Sequence, residues 1–388
     1  SITIKAENVD VVGGSELLAG IGEGLGSPEA QGGDIKINAT GRINVDKSLI
    51  ANAVDKNAVG NGGNVKIKTG SLLGKNGSII GTIISGGGNA GNVTIEASDA
   101  VILGRGDSGV VTVVASLVGT GSEGNAGGVT ITTGSLEVKN GAEISASTLG
   151  KGNAGDITIT TGSLEVKKGA GIGASTFAKG DAGTVKINAT ETVVLEGGDS
   201  EFFTGVSSQV NSGAEGNAGG VTITTGSLEV KKGAIISAST FAKGDAGAVK
   251  INATETIVLE RGNSEIFTGV GSTVEEGAEG NAGGVTITTG SLEVKNGAEI
   301  TASTSAQGNA GFVKINATET VVLERGDSEF FTGVVTSVQS GAEGNAGGVT
   351  ITTGSLEVKN GAIISASIFA KGDVGTVNIN ATETVVLD

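Results

Sequence analysis

One sixteen-residue stretch recurs along the chain and constrains its fold more than any other feature. It reads Gly-Asn-Ala-Gly-Gly-Val-Thr-Ile-Thr-Thr-Gly-Ser-Leu-Glu-Val-Lys from Gly124 to Lys139, and it returns at Gly216, Gly280 and Gly344. The three later copies start at equal intervals along the chain. A fixed period of this kind is the signature of an array in which each unit packs only against its neighbours. We therefore expect one elongated array rather than several globular domains.

The repeat units have two lengths. Aligned on the first apolar pair of each unit, the coils begin at Ser1, Asp34, Asn64, Asn92, Gly128, Asp156, Thr184, Gly220, Ala248, Gly284, Phe312, Gly348 and Thr376. The first steps are 33, 30 and 28 positions long; from Asn92 long steps of 36 and short steps of 28 alternate, with one extra short step from Asp156. We predict one continuous β-helix over residues 1–388, with irregular coils over 1–91 and a regular 28-plus-36 double repeat over 92–388.

Each short unit has the pattern of three short strands. In the unit that starts at Gly128, apolar and polar residues alternate over 129–132, 136–139 and 142–147, and Gly or Asn-Gly separates these runs. Strict alternation indicates strands with one buried face, and the glycines allow sharp corners. Stacked copies share a core that one copy cannot form alone. The sequence therefore predicts an all-β fold, a right-handed parallel β-helix (β-solenoid) with three strands per coil and about 12–13 coils.

The long coils keep the first two strands and carry an insertion before the third. It spans 197–204 and recurs at 261–268 and 325–332, so we expect a row of loops along one edge of the rod. Two interpretations stay open: the Phe side chains pack over the end of the third strand while the charges are solvated, or the row contacts a glycan or a neighbouring rod. The candidate contact residues are Arg261, Arg325, Asp199, Asp327, Phe202, Phe203, Phe267, Phe330 and Phe331.

Stacking the coils also predicts a charge ladder on the outer face of the second strand. Its members are Lys167, Glu196, Lys231, Glu260, Lys295, Glu324 and Lys359. Opposite charges on neighbouring strands are favourable and like charges unfavourable, by roughly 0.2–1 kcal/mol per pair. Because exposed ion pairs are weak, we expect the charge ladder to specify register more than stability. Its test is whether Lys231 lies between Glu196 and Glu260; where two short coils adjoin, Glu137 would instead stack on Glu165.

The Gly-Asn-Ala-Gly and Gly-Asp-Ala-Gly corners form a further column. Its members are Asn125, Asn153, Asp181, Asn217, Asp245, Asn281, Asn309, Asn345 and Asp373. Asn and Asp side chains bond readily to nearby backbone groups, so we predict a ladder of such bonds along the corner. A calcium column is the alternative, but Ca²⁺ needs several converging carboxylates. We expect neither a cofactor nor a bound metal.

Composition argues against several classes of function. The net charge of −16 argues against nucleic acid and anionic membranes as partners, since both are bound through Lys and Arg. No apolar run approaches the roughly 18 residues needed to insert into a membrane. The chain has no His for general base catalysis, and its carboxylates repeat alike from coil to coil, whereas glycoside hydrolysis needs two that differ in environment. We therefore expect no enzymatic activity.

The repeats resemble those of a known family. Tandem units of the form Gly-Asn-Ala-Gly-Gly-Val-Thr-Ile-Thr-Thr-Gly-Ser-Leu and Ile-Asn-Ala-Thr-Glu-Thr-Val-Val-Leu cover essentially the whole chain. In this it resembles the repetitive β-helical shaft of filamentous-haemagglutinin-like large exoproteins, the two-partner-secretion adhesins of bacteria. The resemblance implies export through an outer-membrane transporter, an extracellular or outer-cell-surface location, and roles in adhesion, aggregation or biofilm formation.

These observations together predict a non-enzymatic extracellular shaft that acts as a stiff structural or adhesive spacer. The chain begins at Ser1 in mid-strand pattern, so we expect it to be a fragment of a longer protein. The main alternative is a self-assembling extracellular fibre subunit, formed when open strand edges of one copy stack on another. Glycan binding and polysaccharide processing are lesser alternatives. The expected partners are thus other copies of the chain, end to end or side by side, or a cell-surface glycan.

Overall fold

The chain folds as a parallel β-helix of about 13 coils. A computed structural model describes residues 1–198, 200 and 202–388. Nearly all regular structure in this part is β, apart from one 3₁₀ turn at Gly106–Ser108. The all-β parallel fold predicted from the repeats is confirmed.

Each coil contributes strands to three faces, except that the coil from Thr376 contributes only to the first and second. The strands of the first face are Ile2–Ala6, Ile35–Ala39, Val129–Thr132, Ile157–Thr161, Thr184–Ala189, Gly220–Thr225, Ala248–Ala253, Val285–Thr289 and Val313–Ala317. Those of the second face are Val9–Val12, Arg42–Asp46, Ser135–Lys139, Ser163–Lys167, Thr192–Glu196, Ser227–Lys231, Thr256–Glu260, Ser291–Lys295 and Thr320–Glu324. Four longer strands continue from the first face into the second: Val65–Lys75, Val93–Gly104, Val349–Lys359 and Val377–Leu387.

The third face is a separate sheet. Its strands are Glu16–Ile21, Leu49–Val54, Ile79–Ile84, Val113–Val118, Glu143–Thr148, Gly171–Gly173, Thr204–Ser207, Ala234–Ser237, Gly269–Gly271, Glu299–Thr301, Gly333–Val338 and Ile363–Ile368. A small extra sheet pairs Gly26–Gln31 with Val59–Asn61 in the irregular amino-terminal coils.

Pairing between neighbouring coils follows the predicted steps. Ile157 pairs with Val185 across a short step, and Val185 pairs with Val221 across a long step. The irregular first step is also present, because Ile2 pairs with Ile35. The apolar residue that opens each unit therefore sets the register of the coil.

The inward residues of the coils form one apolar column. Ile131, Ile159 and Ile187 lie on successive coils, and each is fully buried. Burying an Ile side chain contributes about 1.5–3 kcal/mol relative to leaving it exposed. Because every coil repeats this contribution, stability grows with the number of stacked coils.

The extra residues of a long coil enter at three corners. Leu164 pairs with Val193 and Gly171 with Gly205, so most of the extra residues precede the third strand. One extra residue precedes the second strand, and the remaining extra residues follow the third strand. The prediction that placed all of the insertion at 197–204 was therefore wrong in this respect. Ladder pairing constrains the strands alone, so each corner accommodates extra residues independently.

A buried serine adapts the long coils to their longer last corner. In a short coil, the amide of Gly247 donates to the strand carbonyl of Ala238 at 2.9 Å. In a long coil, the amide of Gly219 donates instead to the Ser208 hydroxyl at 2.9 Å, and that hydroxyl donates to the carbonyl of Gly183 at 2.7 Å. The serine thus satisfies backbone groups that would otherwise be buried without partners.

The predicted corner ladder of Asn and Asp is confirmed. The Asn217 Oδ1 accepts a hydrogen bond from the amide of Asp245 at 3.0 Å, and the Asp245 Oδ1 accepts one from the amide of Asn281 at 2.7 Å. The same bond links each coil to the next from Asn61 to Asp373. These side-chain oxygens are occupied by backbone amides.

Candidate functional site

The charge ladder of the second strand has the predicted register. Lys231 pairs with Glu196 on one side and with Glu260 on the other. The alternation continues through Lys295 and Glu324 to Lys359. Opposite charges therefore occupy neighbouring coils, as expected from stacking short units on long ones.

The direct ion pairs of the ladder lysines, however, lie within strands. The Lys231 Nζ is 2.8 Å from Glu229, two residues earlier on its own strand, and the Lys167 Nζ is 2.8 Å from Glu165. Residues two apart on a strand point to the same side, so the two side chains meet without crossing between coils. The same pairing occurs in the adjoining short coils at Glu137 and Lys139. Each of these ion pairs offsets the repulsion that arises where Glu137 stacks on Glu165.

The ladder glutamates make direct contacts between coils, and Glu196 does so through an ion pair. Its carboxylate is 2.7 Å from the Lys232 Nζ of the next coil. The hydrogen bond from Lys232 lowers the pKa of Glu196, with smaller contributions from the charges of Lys232, Lys167 and Lys231, and burial opposes them. The ladder lies on a solvated face, where exposed ion pairs contribute little stability. Its role in specifying the register stays a prediction.

Buried threonines anchor the insertion loops to the coil before them. Thr268 is fully buried, and its hydroxyl accepts a hydrogen bond from the amide of Gly233 at 2.6 Å. Thr204 and Thr332 make the equivalent bonds at 2.7 and 2.6 Å. Each loop therefore ends at a fixed point where the third strand begins.

Arginine side chains hold the loops in shape from within. The Arg261 Nε donates to the carbonyl of Ser264 at 2.8 Å, and the Arg325 Nε donates to the carbonyl of Ser328 at 2.9 Å. Arg261 is buried, with 9% of its surface exposed. The predicted contact residues Arg261 and Arg325 thus donate hydrogen bonds to carbonyls of their own loops.

A cation–π contact joins neighbouring loops. The Arg261 Cζ lies 3.3 Å from the ring centroid of Phe330, which belongs to the next long coil. The loop at 197–204 has Gly197 at the position of Arg261. The next loop, at 261–268, has Ile266 at the position of Phe330. Arg therefore occurs with Phe and Gly with Ile. This pairing was detectable in the aligned repeats, but sequence reasoning missed it.

The remaining predicted contact residues lie in or beside the loop row. Phe202, Phe203 and Phe331 are 61%, 39% and 41% exposed. Phe267 is half-buried and Asp327 is exposed. Asp199 lies outside the described residues. A binding role for these residues stays a prediction.

Glu299 is a titratable residue that sequence reasoning did not single out. It lies on the outer side of the third strand between Gly269 and Gly333, the glycines of the two flanking long coils. Burial raises the pKa of Glu299 to about 7, while a hydrogen bond with Thr301 and the charge of Arg261 act in the opposite direction. The aligned repeats could have identified this residue, because the neighbouring short coils have Ile at the position of Glu299.

The outer surface of the third face is covered although it faces away from the core. Ser145, Ser239 and Ser337 are only 2%, 2% and 1% exposed. Their hydroxyls bond to neighbours, as between Ser239 and Thr273 on successive coils at 2.8 Å. The alternation over 142–147 placed Ser145 on the polar side of its strand, and in the structure this side is covered. Ser145 and Ser239 share one sequence feature, a Ser-x-Ser alternation around an inward Ala.

A groove opens on this face where two short coils adjoin. It lies between the loop at 105–112, which joins the strands Val93–Gly104 and Val113–Val118, and the described part of the loop at 197–204, and its volume is about 380 Å³. Its lining includes Arg105, Glu143, Phe177, Phe202 and Phe203. It combines exposed rings with charged and polar groups in one concave surface, which is the usual make-up of a small-ligand site.

Comparisons with known proteins and a search for metal sites identify no further site. In the chain outside positions 199 and 201, no group of three or more acidic side chains is placed to hold a metal ion. No helix among the described residues is long and apolar enough to cross a membrane. A scan against family models and searches of curated proteins and solved structures returned no match.

Proposed function

We propose that the chain is a non-enzymatic structural shaft of a secreted bacterial surface protein. It acts as a stiff spacer in adhesion, aggregation or biofilm formation. The observation that supports this most is the continuity of pairing: first-face strands of successive coils pair from Ile2–Ala6 through to Val377–Leu387. A ladder of this kind, closed over a dry core, resists bending because any bend must lengthen many hydrogen bonds together.

The corner ladders add to this stiffness. The Asn and Asp side chains link each coil to the next through backbone amides, as at Asn217 and Asp245. Buried serines such as Ser208 do the same inside the long coils. Rigidity is thus distributed along the whole rod, as a spacer requires.

The absence of catalytic activity is part of the proposal. Glu299 has the environment of a general acid, because burial raises the pKa of its carboxyl. The neighbours that shift this pKa are Thr301 and Arg261, and neither is a carboxylate. Glycoside hydrolysis by the usual route needs a second carboxylate across the scissile bond.

The proposed setting is the bacterial surface, with export through an outer-membrane transporter. The repeats described above, which resemble those of filamentous-haemagglutinin-like exoproteins, support this assignment. The chain also has no Cys, so it can cross an oxidising compartment unfolded without forming disulfides. Antibody labelling of intact producing cells tests the location: we expect label on unpermeabilised cells, and label only after permeabilisation would contradict the proposal.

Electron microscopy and small-angle scattering of the purified chain test the shaft. Twelve steps of about 4.8 Å predict discrete rods on the order of 58 Å long. Long filaments under the same conditions would favour the fibre-forming alternative. Compact particles without a long axis would contradict both.

A further inference from the structure

The break in the repeat opens a gap in the row of insertion loops. Elsewhere one short coil separates successive loops, but two short coils lie between the loops at 105–112 and 197–204. The spacing therefore grows from about 9.6 Å to about 14 Å. The contact between loops reflects this difference: the Arg261 Cζ is 3.3 Å from the Phe330 centroid, whereas the Arg105 Cζ is 5.6 Å from that of Phe202.

Gly171 and Gly173 make this gap deeper, although the backbone conformation does not require glycine at either position. A Cβ on Gly171 would lie 3.7 Å from the nearest atom, in the Phe203 ring, and a Cβ on Gly173 would lie 3.4 Å from its nearest neighbour. Both are ordinary contacts, and neither residue is in the left-handed region. The short coil at Gly220 carries Ile235 and Ser237 at these positions. The glycines thus leave open a space that other coils fill.

One polar group in the gap lacks a partner that its counterparts have. The Arg105 Nε is buried and has no hydrogen-bond partner among the described residues. The Nε atoms of Arg261 and Arg325 donate to loop carbonyls, of Ser264 and Ser328. Arg105 is thus held less tightly by its own loop than its counterparts are, and its side chain lines the groove.

The remaining lining suits an uncharged ligand with one apolar and one polar side. The Phe177 and Phe202 rings are 49% and 61% exposed and offer flat apolar surfaces. Glu143 and, toward the far end of the groove, Asn211 provide oxygen acceptors in the same lining as the Arg105 guanidinium. The lining charges of Arg105 and Glu143 balance, and the net charge of −16 repels anions.

We propose that the groove between the loops at 105–112 and 197–204 binds one or two sugar units of a neutral glycan. The C–H face of a sugar ring stacks on the exposed Phe202 ring, and its hydroxyls bond to Arg105 and Glu143 at the same end of the groove. This inference goes beyond the shaft, because it places one specific binding site on an otherwise mechanical rod. The site is single, since the described coils adjoin as two short units only here.

The test is binding of the purified chain to an array of neutral oligosaccharides of glucose, galactose, mannose and N-acetylglucosamine. Sialylated and sulfated oligosaccharides and a random-peptide set are the comparison arms. We expect binding in the neutral arm, with saturation transfer from protein aromatic protons to sugar C–H protons.

Three variants locate the binding. The double substitution Gly171→Ile and Gly173→Ser fills the groove with the residues of the coil at Gly220, and Phe202→Ser removes an exposed ring. We expect each to weaken binding at least about tenfold, roughly the effect of losing one good contact. Phe369→Ser removes a ring that is 64% exposed and lies outside the groove, so it is the matched control and should leave binding unchanged.

Circular dichroism of each variant checks that the fold is intact, and Phe202→Ser keeps the test valid if the filled variant misfolds, because its ring is mainly exposed. No binding in the neutral arm overturns the proposal. Binding confined to acidic glycans or peptides does so as well, as does an equal loss in Phe369→Ser. None of these outcomes bears on whether the chain forms a rod.

Discussion

Glu299 should make the stability of its coil depend on pH in an unusual direction. Burial raises its pKa from 4.5 to about 7 in the folded chain. The folded state therefore binds more protons than the unfolded state between these two values. The contribution of Glu299 to the free energy of unfolding is therefore highest below pH 4.5, falls as the pH rises, and reaches its lower level above pH 7.

The size of this effect follows from the pKa difference. One pKa unit corresponds to about 1.4 kcal/mol, so the shift from 4.5 to about 7 amounts to about 3 kcal/mol at most. Glu299→Gln keeps a neutral side chain of similar shape. We expect it to raise the free energy of unfolding of this coil at pH 8 by up to about 3 kcal/mol and to change it little at pH 4.

Hydrogen exchange of the amides in Glu299–Thr301 and Gly333–Val338 measures this locally, which matters because repeat arrays do not always unfold in one step. The ¹³C chemical shift of the Glu299 carboxyl gives its titration directly. Glu329→Gln, in an exposed loop position, is the matched control and should show no gain that depends on pH. A carboxyl that titrates near 4.5, or a gain equal at pH 4 and pH 8, would refute the reasoning.

Three further predictions concern the backbone, the loops and the corners. Gly205→Ala should destabilise the fold by about 1–3 kcal/mol, because its Cβ would be 1.9 Å from a carbonyl oxygen of the next coil; Gly171→Ala, one coil earlier in the same column, should be nearly neutral in thermal melting. A double-mutant cycle on Arg261→Ala and Phe330→Ala should give a coupling energy of about 1–2 kcal/mol, and a value near zero would show that the 3.3 Å contact is not energetically coupled. Asn217→Ala should cost about 1 kcal/mol and speed hydrogen exchange at the next corner, whereas unchanged exchange would count against the Asn ladder.

Much of the architecture was predictable because the repeat is strict. The steps from Ile157 to Val185 and Val221 follow from alternation and period alone. The position of Lys231 between Glu196 and Glu260 follows from the same register. Once copies stack, every backbone pairing is specified by the spacing of the apolar residues.

The candidate site was only partly predictable. The aligned repeats marked the Phe-bearing loops as unusual and Arg261 as a candidate contact residue, but they did not show the contacts within the protein. Arg261 contacts Ser264 and Phe330, and Ser239 contacts Thr273. These contacts depend on how far each loop reaches across neighbouring coils, and a one-dimensional pattern carries no such distance.

The sequence by itself determined the fold, the coil lengths and the register, because period-2 alternation and glycine corners allow few other ways to bury Val, Ile and Leu. Only the tertiary structure decided which charges meet and where space remains. Lys231 pairs with Glu229 within its strand, and the gap above Gly171 opens because two short coils separate one pair of loops. Such contacts depend on how far each side chain reaches in three dimensions. An alignment of the repeats does not contain that information.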